Sequence, residues 1–179
     1  MYLTSDLHFF HKNVLRFCPE TRPFADIDEM NQFLVDKWNE KAVKPNTKMF
    51  HLGDFSFGKP EQTCEIVSQL QGDITFINGN HDYDKNKEVL REFGEVVDYK
   101  KVNYQGKKFI LFHYPILEWD SKHHGSIHCY GHLHQNTVPE KYGLGKAMNV
   151  GWDAIGKIIH FDEVIEIMEN IPVGFCSHK

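Results

Sequence analysis

Short apolar runs that break off into metal-ligand chemistry constrain this chain more than any other feature. Met1-Tyr2-Leu3, Met49-Phe50-His51-Leu52, Ile74-Thr75-Phe76-Ile77 and Phe109-Ile110-Leu111-Phe112 have the length and composition of buried strands. Each leads within a few residues into Asp6-Leu7-His8, Gly53-Asp54, Gly79-Asn80-His81-Asp82 or His113, and Gly131-His132-Leu133-His134 follows as a fifth such segment. Asp, Asn and His bind borderline divalent cations through oxygen and imidazole nitrogen. Ligand-type residues at the ends of successive strands gather on one rim of a sheet, where open α/β folds build their sites. An α/β fold with its chemistry at the strand ends is therefore expected.

The intervening segments read as helices in the first half. Asp26 looks like an N-cap with Glu29 completing a capping box, and Ile27, Met30, Phe33, Leu34 and Trp38 recur at helical spacing over 26–41. Pro60 suits the first turn of another helix, with Ile66, Val67 and Leu70 on its buried face, and a further helix is expected over 85–92. Residues 6–25 read as a loop. Strand and helix alternate as in a parallel α/β sheet. Further on, 99–104 and 107–113 flank Gln105-Gly106 as a hairpin, then 127–130, 147–150 and 158–161 read as strands before a closing helix over 162–170. The second half is expected to be antiparallel. With no linker, repeat or low-complexity tract, residues 1–179 are expected to form a single domain.

Composition narrows the function classes. With 41% hydrophobic and 25% charged residues, the chain is ordinary for a globular protein, and 179 residues bury enough surface to need no disulfide. A formal net charge of −5 counts against tight non-specific binding to nucleic acid, which relies on cationic side chains. Cys18, Cys64, Cys129 and Cys176 form no C-x-x-C pair, so free thiols are expected rather than a zinc ribbon or redox motif. No apolar run approaches the ~20 residues that span a bilayer. The first strand starts at Met1 and leaves no room for a targeting peptide, so a cytoplasmic protein is expected.

In order, D-x-H, G-D, G-N-H-D, H and G-H-x-H resemble the motifs of the calcineurin-like metallophosphoesterase superfamily. The D-L-H-F-F-H opening and the N-V-G-x-D segment at 149–153 are similar to small bacterial and phage phosphoesterases. The resemblance implies a four-layer α/β/β/α sandwich of two mixed β-sheets flanked by helices. It also implies two divalent ions, one held by Asp6, His8 and His134, the other by Asn80, His113 and His132, with Asp54 bridging them. Mn²⁺ is the leading cation, with Mg²⁺, Fe²⁺, Ni²⁺ or Zn²⁺ as alternatives, because hard and borderline donors do not choose a metal by affinity alone. A hydroxide bridging the ions would attack phosphorus in line, since metal binding lowers the pKa of water to about 7. His81 would protonate the leaving oxygen as general acid, and Asp82 would orient His81 or a ligating histidine. Spacing is compatible with this division. Alternate residues of an extended segment point the same way, so Asp6 and His8 can face one ion. A small backbone rotation after a strand could send His132 and His134 to different ions.

The remaining candidates are weaker. His11 and Arg16 are candidate substrate contacts, Arg16 because a guanidinium matches phosphate bidentately; Lys12, Arg22 and Lys122 are the other basic groups near the motifs. Trp38 fits the core and Trp119 the rim of the site, whereas His51 and His160 read as packed or surface residues. His123, His124 and His128 could rim the pocket or lie in a solvated loop. Phe9 after His8 and Phe55-Ser56-Phe57-Gly58 after Asp54 depart from protein Ser/Thr phosphatases of the superfamily, which carry Gly and Arg there. The expected reaction is hydrolysis of a small phosphate ester, a phosphodiester or nucleotide for preference. Phosphomonoesterase or nuclease activity is the alternative within the superfamily. A non-catalytic binding scaffold is the alternative of another class, disfavoured because an intact Asp/His cluster is costly to bury without a cation.

Overall fold

Alternation along the apolar runs divides them between two cores. Met49, Ile74 and Phe76 pack against helices with Met30, Leu34, Trp38 and Val67. Leu3, Phe50 and Ile77 turn the other way and meet Phe109, Leu111, Ile127 and Cys129 of a second sheet. Each such fully buried side chain contributes about 1.5–3 kcal/mol. The computed structural model describes residues 1–136, 138 and 144–173; Cys176 lies outside the described residues.

The first sheet has the order β4-β3-β2-β1-β9, with β1 (Tyr2–Thr4), β2 (Lys48–His51), β3 (Asp73–Ile77) and β4 (Gly94–Val97) parallel. Its edge strand β9 (Ile159–His160) runs antiparallel to β1. The second sheet has the order β5-β6-β7-β8, from β5 (Tyr99–Tyr104), β6 (Lys107–Phe112), β7 (Ile127–Tyr130) and β8 (Ala147–Asn149). The helices are α1 (Val14–Phe17), α2 (Ile27–Lys41), α3 (Pro60–Val67), α4 (Asp84–Arg91), α5 (Trp152–Ile155) and α6 (Phe161–Glu169). Among the described residues, no helix is long and apolar enough to cross a membrane.

Local chemistry accounts for most boundaries. At α2 the Asp26 carboxylate accepts from the N–H groups of Asp28 and Glu29, while Glu29 reaches back to the N–H of Ala25, one residue earlier than a standard capping box. Gln105 and Gly106 take φ values of 47° and 71°, the left-handed pair that turns β5 tightly into β6.

Three expectations are corrected. The second half is not antiparallel throughout: β5 pairs β6 and β9 pairs β1 that way, but β6–β7 and β7–β8 are parallel. Residues 113–126 and 131–146 are long enough to return the chain to the same end of the sheet, which a parallel pair requires. The expected loop over 6–25 contains α1, too short for its periodicity to register, and β4 adds a strand whose Gly94-Glu95 start hid it. Trp119 and His128 do not rim the site. His128 is buried with its ring nitrogens at the carbonyls of Ile110 and Tyr114, and Trp119 donates its indole N–H to Ser126 Oγ at 3.0 Å.

The topology brings the C-terminal ends of β1, β2, β3, β6 and β7 together. Backbone bonds tie them there: Asp6 N–H to Gly53 O, His8 N–H to Asp54 O, and Gly131 N–H to His113 O. An isolated bridge between Ser5 and Gly151 stitches the two sheets at the same rim.

Candidate active site

Immediately past the strand ends the backbone curls into the left-handed region. Asp6, His8, Asp54, His132 and His134 have φ of 57°, 52°, 58°, 69° and 50°. A side-chain-bearing residue there costs of order 1 kcal/mol, and such strain concentrates at functional sites. The expectation that Asp6 and His8 converge from an extended segment is thus corrected: β1 ends at Thr4, and the curled backbone turns both side chains to one side. The loops also approach unusually closely. A Cβ at Gly79 would run into the Asp54 carboxylate, and one at Gly131 into Ser5 Oγ and Asp6 Oδ2.

The seven expected ligands fall into two groups around one carboxylate. In the first, His8 Nε2 lies 3.3 Å from His134 Nε2 and 3.9 Å from Asp6 Oδ1. In the second, His113 Nε2 and His132 Nδ1 each lie 2.9 Å from Asn80 Oδ1. Asp54 Oδ2 stands between them, 3.9 Å from His8 Nε2 and 3.7 Å from His113 Nε2. His132 and His134 do part company, one to each group.

Electrostatics favours a cation here. Burial raises the pKa of Asp6 and of Asp54, so both carboxylates lack the counter-charge that would keep them comfortably ionised. Burial also lowers His8, His113 and His132, which leaves neutral imidazoles with lone pairs to donate. Two Nε2 atoms facing each other across 3.3 Å can share one proton at most, and His8 Nδ1 is buried without a partner. Oxygen and imidazole donors around a shared carboxylate therefore fit divalent ions.

A calcineurin-like phosphoesterase superfamily domain matches residues 2–152. The chain belongs to that superfamily. Uncharacterized protein MJ1445 of Methanocaldococcus jannaschii is 33% identical over 175 residues, covering 94% of this chain and 91% of its own. The crystal structure of AQ665, a protein of unknown function from Aquifex aeolicus, superposes with a TM-score of 0.74 at 26% identity, covering 93% and 98% of the two chains. A novel archaeal phosphodiesterase at 18% identity shares the fold with a TM-score of 0.51 over 90% and 93%. Membership of the calcineurin-like phosphoesterases makes this chain a hydrolase of phosphorylated substrates and implies divalent metal ions.

This calcineurin-like phosphoesterase supports its site with residues that the motifs did not reveal. Arg22, 1% exposed, donates from Nε and Nη2 to the two oxygens of Asp153 at 2.8 and 2.9 Å, and to the carbonyls of Asp6 and Leu7. Asp153 also accepts from Thr21 Oγ1 and meets His134 Nδ1 at 2.7 Å. Burial pushes the Asp153 pKa up, but His134, Arg22 and Thr21 more than offset this and hold it well below the usual carboxylate range. The hydrogen bond to Asp153 correspondingly raises His134. Asn149 donates to the His134 carbonyl, so both ends of the N-V-G-x-D segment serve one histidine. The local signal was an Asp closing that segment and an Arg in a loop, 131 residues apart.

The other candidates separate. His81 is anchored by its backbone N–H to Asp54 Oδ1 at 2.8 Å, with its ring 4.9 Å from Phe57. The Asp82 carboxylate accepts from the backbone N–H groups of Asp54, Phe55 and Gly79, so it shapes the loops where sequence suggested that it orients a histidine ring. His11 lines a cavity beside His8; Arg16, exposed on α1, is not among the residues lining it.

Proposed function

We propose that this chain is a dinuclear metal-dependent phosphoesterase that hydrolyses a small phosphate ester, preferring a phosphodiester. The observation that carries the reading is the position of Asp54 Oδ2, within 4 Å of one histidine from each donor group. Asp6, His8 and His134 would hold one ion, Asn80, His113 and His132 the other, and Asp54 both. Divalent ions held there, Mn²⁺ for preference, would supply hydroxide from water at neutral pH and offset phosphoryl charge.

The chain's own residues supply the rest. His81, fixed through its backbone to Asp54, lines the cavity beside His8, where it would protonate the departing oxygen. Asp82 holds the backbone of Asp54 and Gly79 in place for it. Asp153 engages His134 Nδ1, which keeps Nε2 turned toward His8. Among the described residues, the cavity lining carries no Lys or Arg. An uncharged ester group of the substrate would meet no unpaired charge in that cavity. A single domain over 1–179 in the cytoplasm belongs to the same reading.

The test uses chelator-stripped protein with Mn²⁺ added back, bis-p-nitrophenyl phosphate against p-nitrophenyl phosphate, and a count of bound ions. Mn²⁺-dependent cleavage favouring the diester is expected, with two ions per chain and fewer in Asp54→Ala. Two ions retained by Asp54→Ala overturn the bridging role. Faster monoester cleavage overturns the diester preference, and silence on both substrates with two ions bound favours a binding scaffold.

A further inference from the structure

Beside the first donor group lies a cavity of about 410 Å³, within the range of small-molecule sites. His8, His81 and His134 form the wall that it shares with the candidate centre. Aromatic rings adjoin that wall. His11 stacks on Phe57 with ring centroids 4.0 Å apart and planes within 11°, and Phe17 stands edge-on to His11 at 6.1 Å. Phe57 continues this surface inward, 5.2 Å from His8 and 4.9 Å from His81. Phe17 is 65% exposed although it borders the cavity, an apolar ring held in water at the edge of a site.

Charge is as informative as shape. Among the described residues, the lining contains no Lys, Arg, Asp or Glu, and its polar contribution beyond the histidines includes the Gln135 and Asn136 amides. A second phosphate or a carboxylate would have no counter-charge in this cavity. A flat heterocycle would have aromatic faces to stack on and amides to meet its ring heteroatoms.

Resting on the phosphoesterase reading, we infer that this cavity is the subsite for an uncharged planar aromatic group of the phosphate ester, of the size and chemistry of a nucleoside base. His11, Phe17 and Phe57 supply the stacking surface, and Gln135 and Asn136 the polar edge. The substrate class is then a nucleotide-type ester bearing one base, and a sugar phosphate or polyphosphate is a poor fit.

Calorimetry on the Mn²⁺-loaded protein separates the contribution of the base. Adenosine 5′-monophosphate and ribose 5-phosphate share sugar and phosphate and differ only in that group. Stacking on protein aromatics changes affinity by about 5- to 150-fold per base, so adenosine 5′-monophosphate should bind at least about tenfold more tightly. Phe57→Leu and Phe17→Ala should pull that ratio toward one. Both side chains sit outside the fully buried core, so the variants are expected to fold. With diamagnetic Mg²⁺ in place of Mn²⁺, base protons should shift upfield on binding in proton NMR spectra, and less so in Phe57→Leu. Equal affinities for the two ligands, or a ratio that survives both substitutions, overturn the subsite. Diester turnover measured in parallel distinguishes the two failures. Turnover without base preference defeats the subsite alone, and base preference without turnover defeats the hydrolytic reading alone.

Discussion

Asp6, His8 and His134 are held from behind by charge, whereas Asn80, His113 and His132 are held by carbonyls and by one another. Behind the first group the buried Arg22–Asp153 pair grips the His134 ring and the backbone of Asp6 and Leu7. In the second, His113 Nδ1 meets the Leu52 carbonyl at 2.8 Å, and Asn80, the shared partner of His113 and His132, is exposed. The same residue types thus serve in two mechanical settings. A desolvated ion pair tolerates little displacement, because removing one partner leaves the other charge buried and alone. A carbonyl and an exposed amide permit more. The first half should therefore be the better organised and the tighter metal site, and the second the more adaptable.

The largest expected effect tests what lies between the halves. His81→Ala should keep both ions and lose about 10²- to 10⁴-fold in kcat, the range for a general acid. Loss of an ion in that variant, seen by metal analysis, would make His81 a ligand and undo the division into two groups. Next comes the support behind the first half. Asp153→Asn should weaken one ion by about 10- to 100-fold in a metal titration and leave the other nearly unchanged. Equal weakening of both ions would dissolve the asymmetry.

The smallest effect concerns His51, which precedes the carbonyl that holds His113. It is fully buried with neither ring nitrogen partnered, and burial, with a lesser contribution from His113, lowers its pKa to about 3. The unfolded chain, with an ordinary histidine pKa near 6.5, then binds more protons than the folded one between those values. Its contribution to stability is present above pH 6.5 and is lost as pH falls toward 3. In metal-free protein, His51→Leu should remove about one proton from the pH slope of urea unfolding between pH 6 and 4. An unchanged slope would mean that His51 is not the buried group titrating there. His128, shifted by burial to about 4, contributes with the same sign and remains.

What could be read from the sequence was whatever chemistry is local. Apolar runs announced β1, β2, β3 and β6 because burial on both faces leaves a continuous hydrophobic stretch. Asp26 announced α2 because an N-cap acts within three residues. The ligand-type residues were visible because they follow those strands. Arg22 and Asp153 were not, since a pair separated by 131 residues has no pattern of its own until the sheets close. Arg16 stood nearer to the motifs and drew attention for that reason, yet α1 leaves it exposed. Strand direction in the second half depended on crossover length, which the apolar pattern does not encode. The left-handed turns were hidden for a further reason: Asp and His visit that region unwillingly, and the sheets around them impose it.

That imposition sets a direction for mutational drift. Each of the five curled positions carries a side chain where glycine would rest more easily. Exchanging Asp54 or His132 for Gly would relieve backbone strain and remove a raised carboxylate or a desolvated imidazole in one step. Metal-free folding would gain while the chemistry vanished. Stability and the proposed chemistry would therefore be opposed at these residues. A lineage released from its substrate would drift toward an inert and sturdier version of the same sandwich. Five of the seven ligand-type residues keep that costly conformation here.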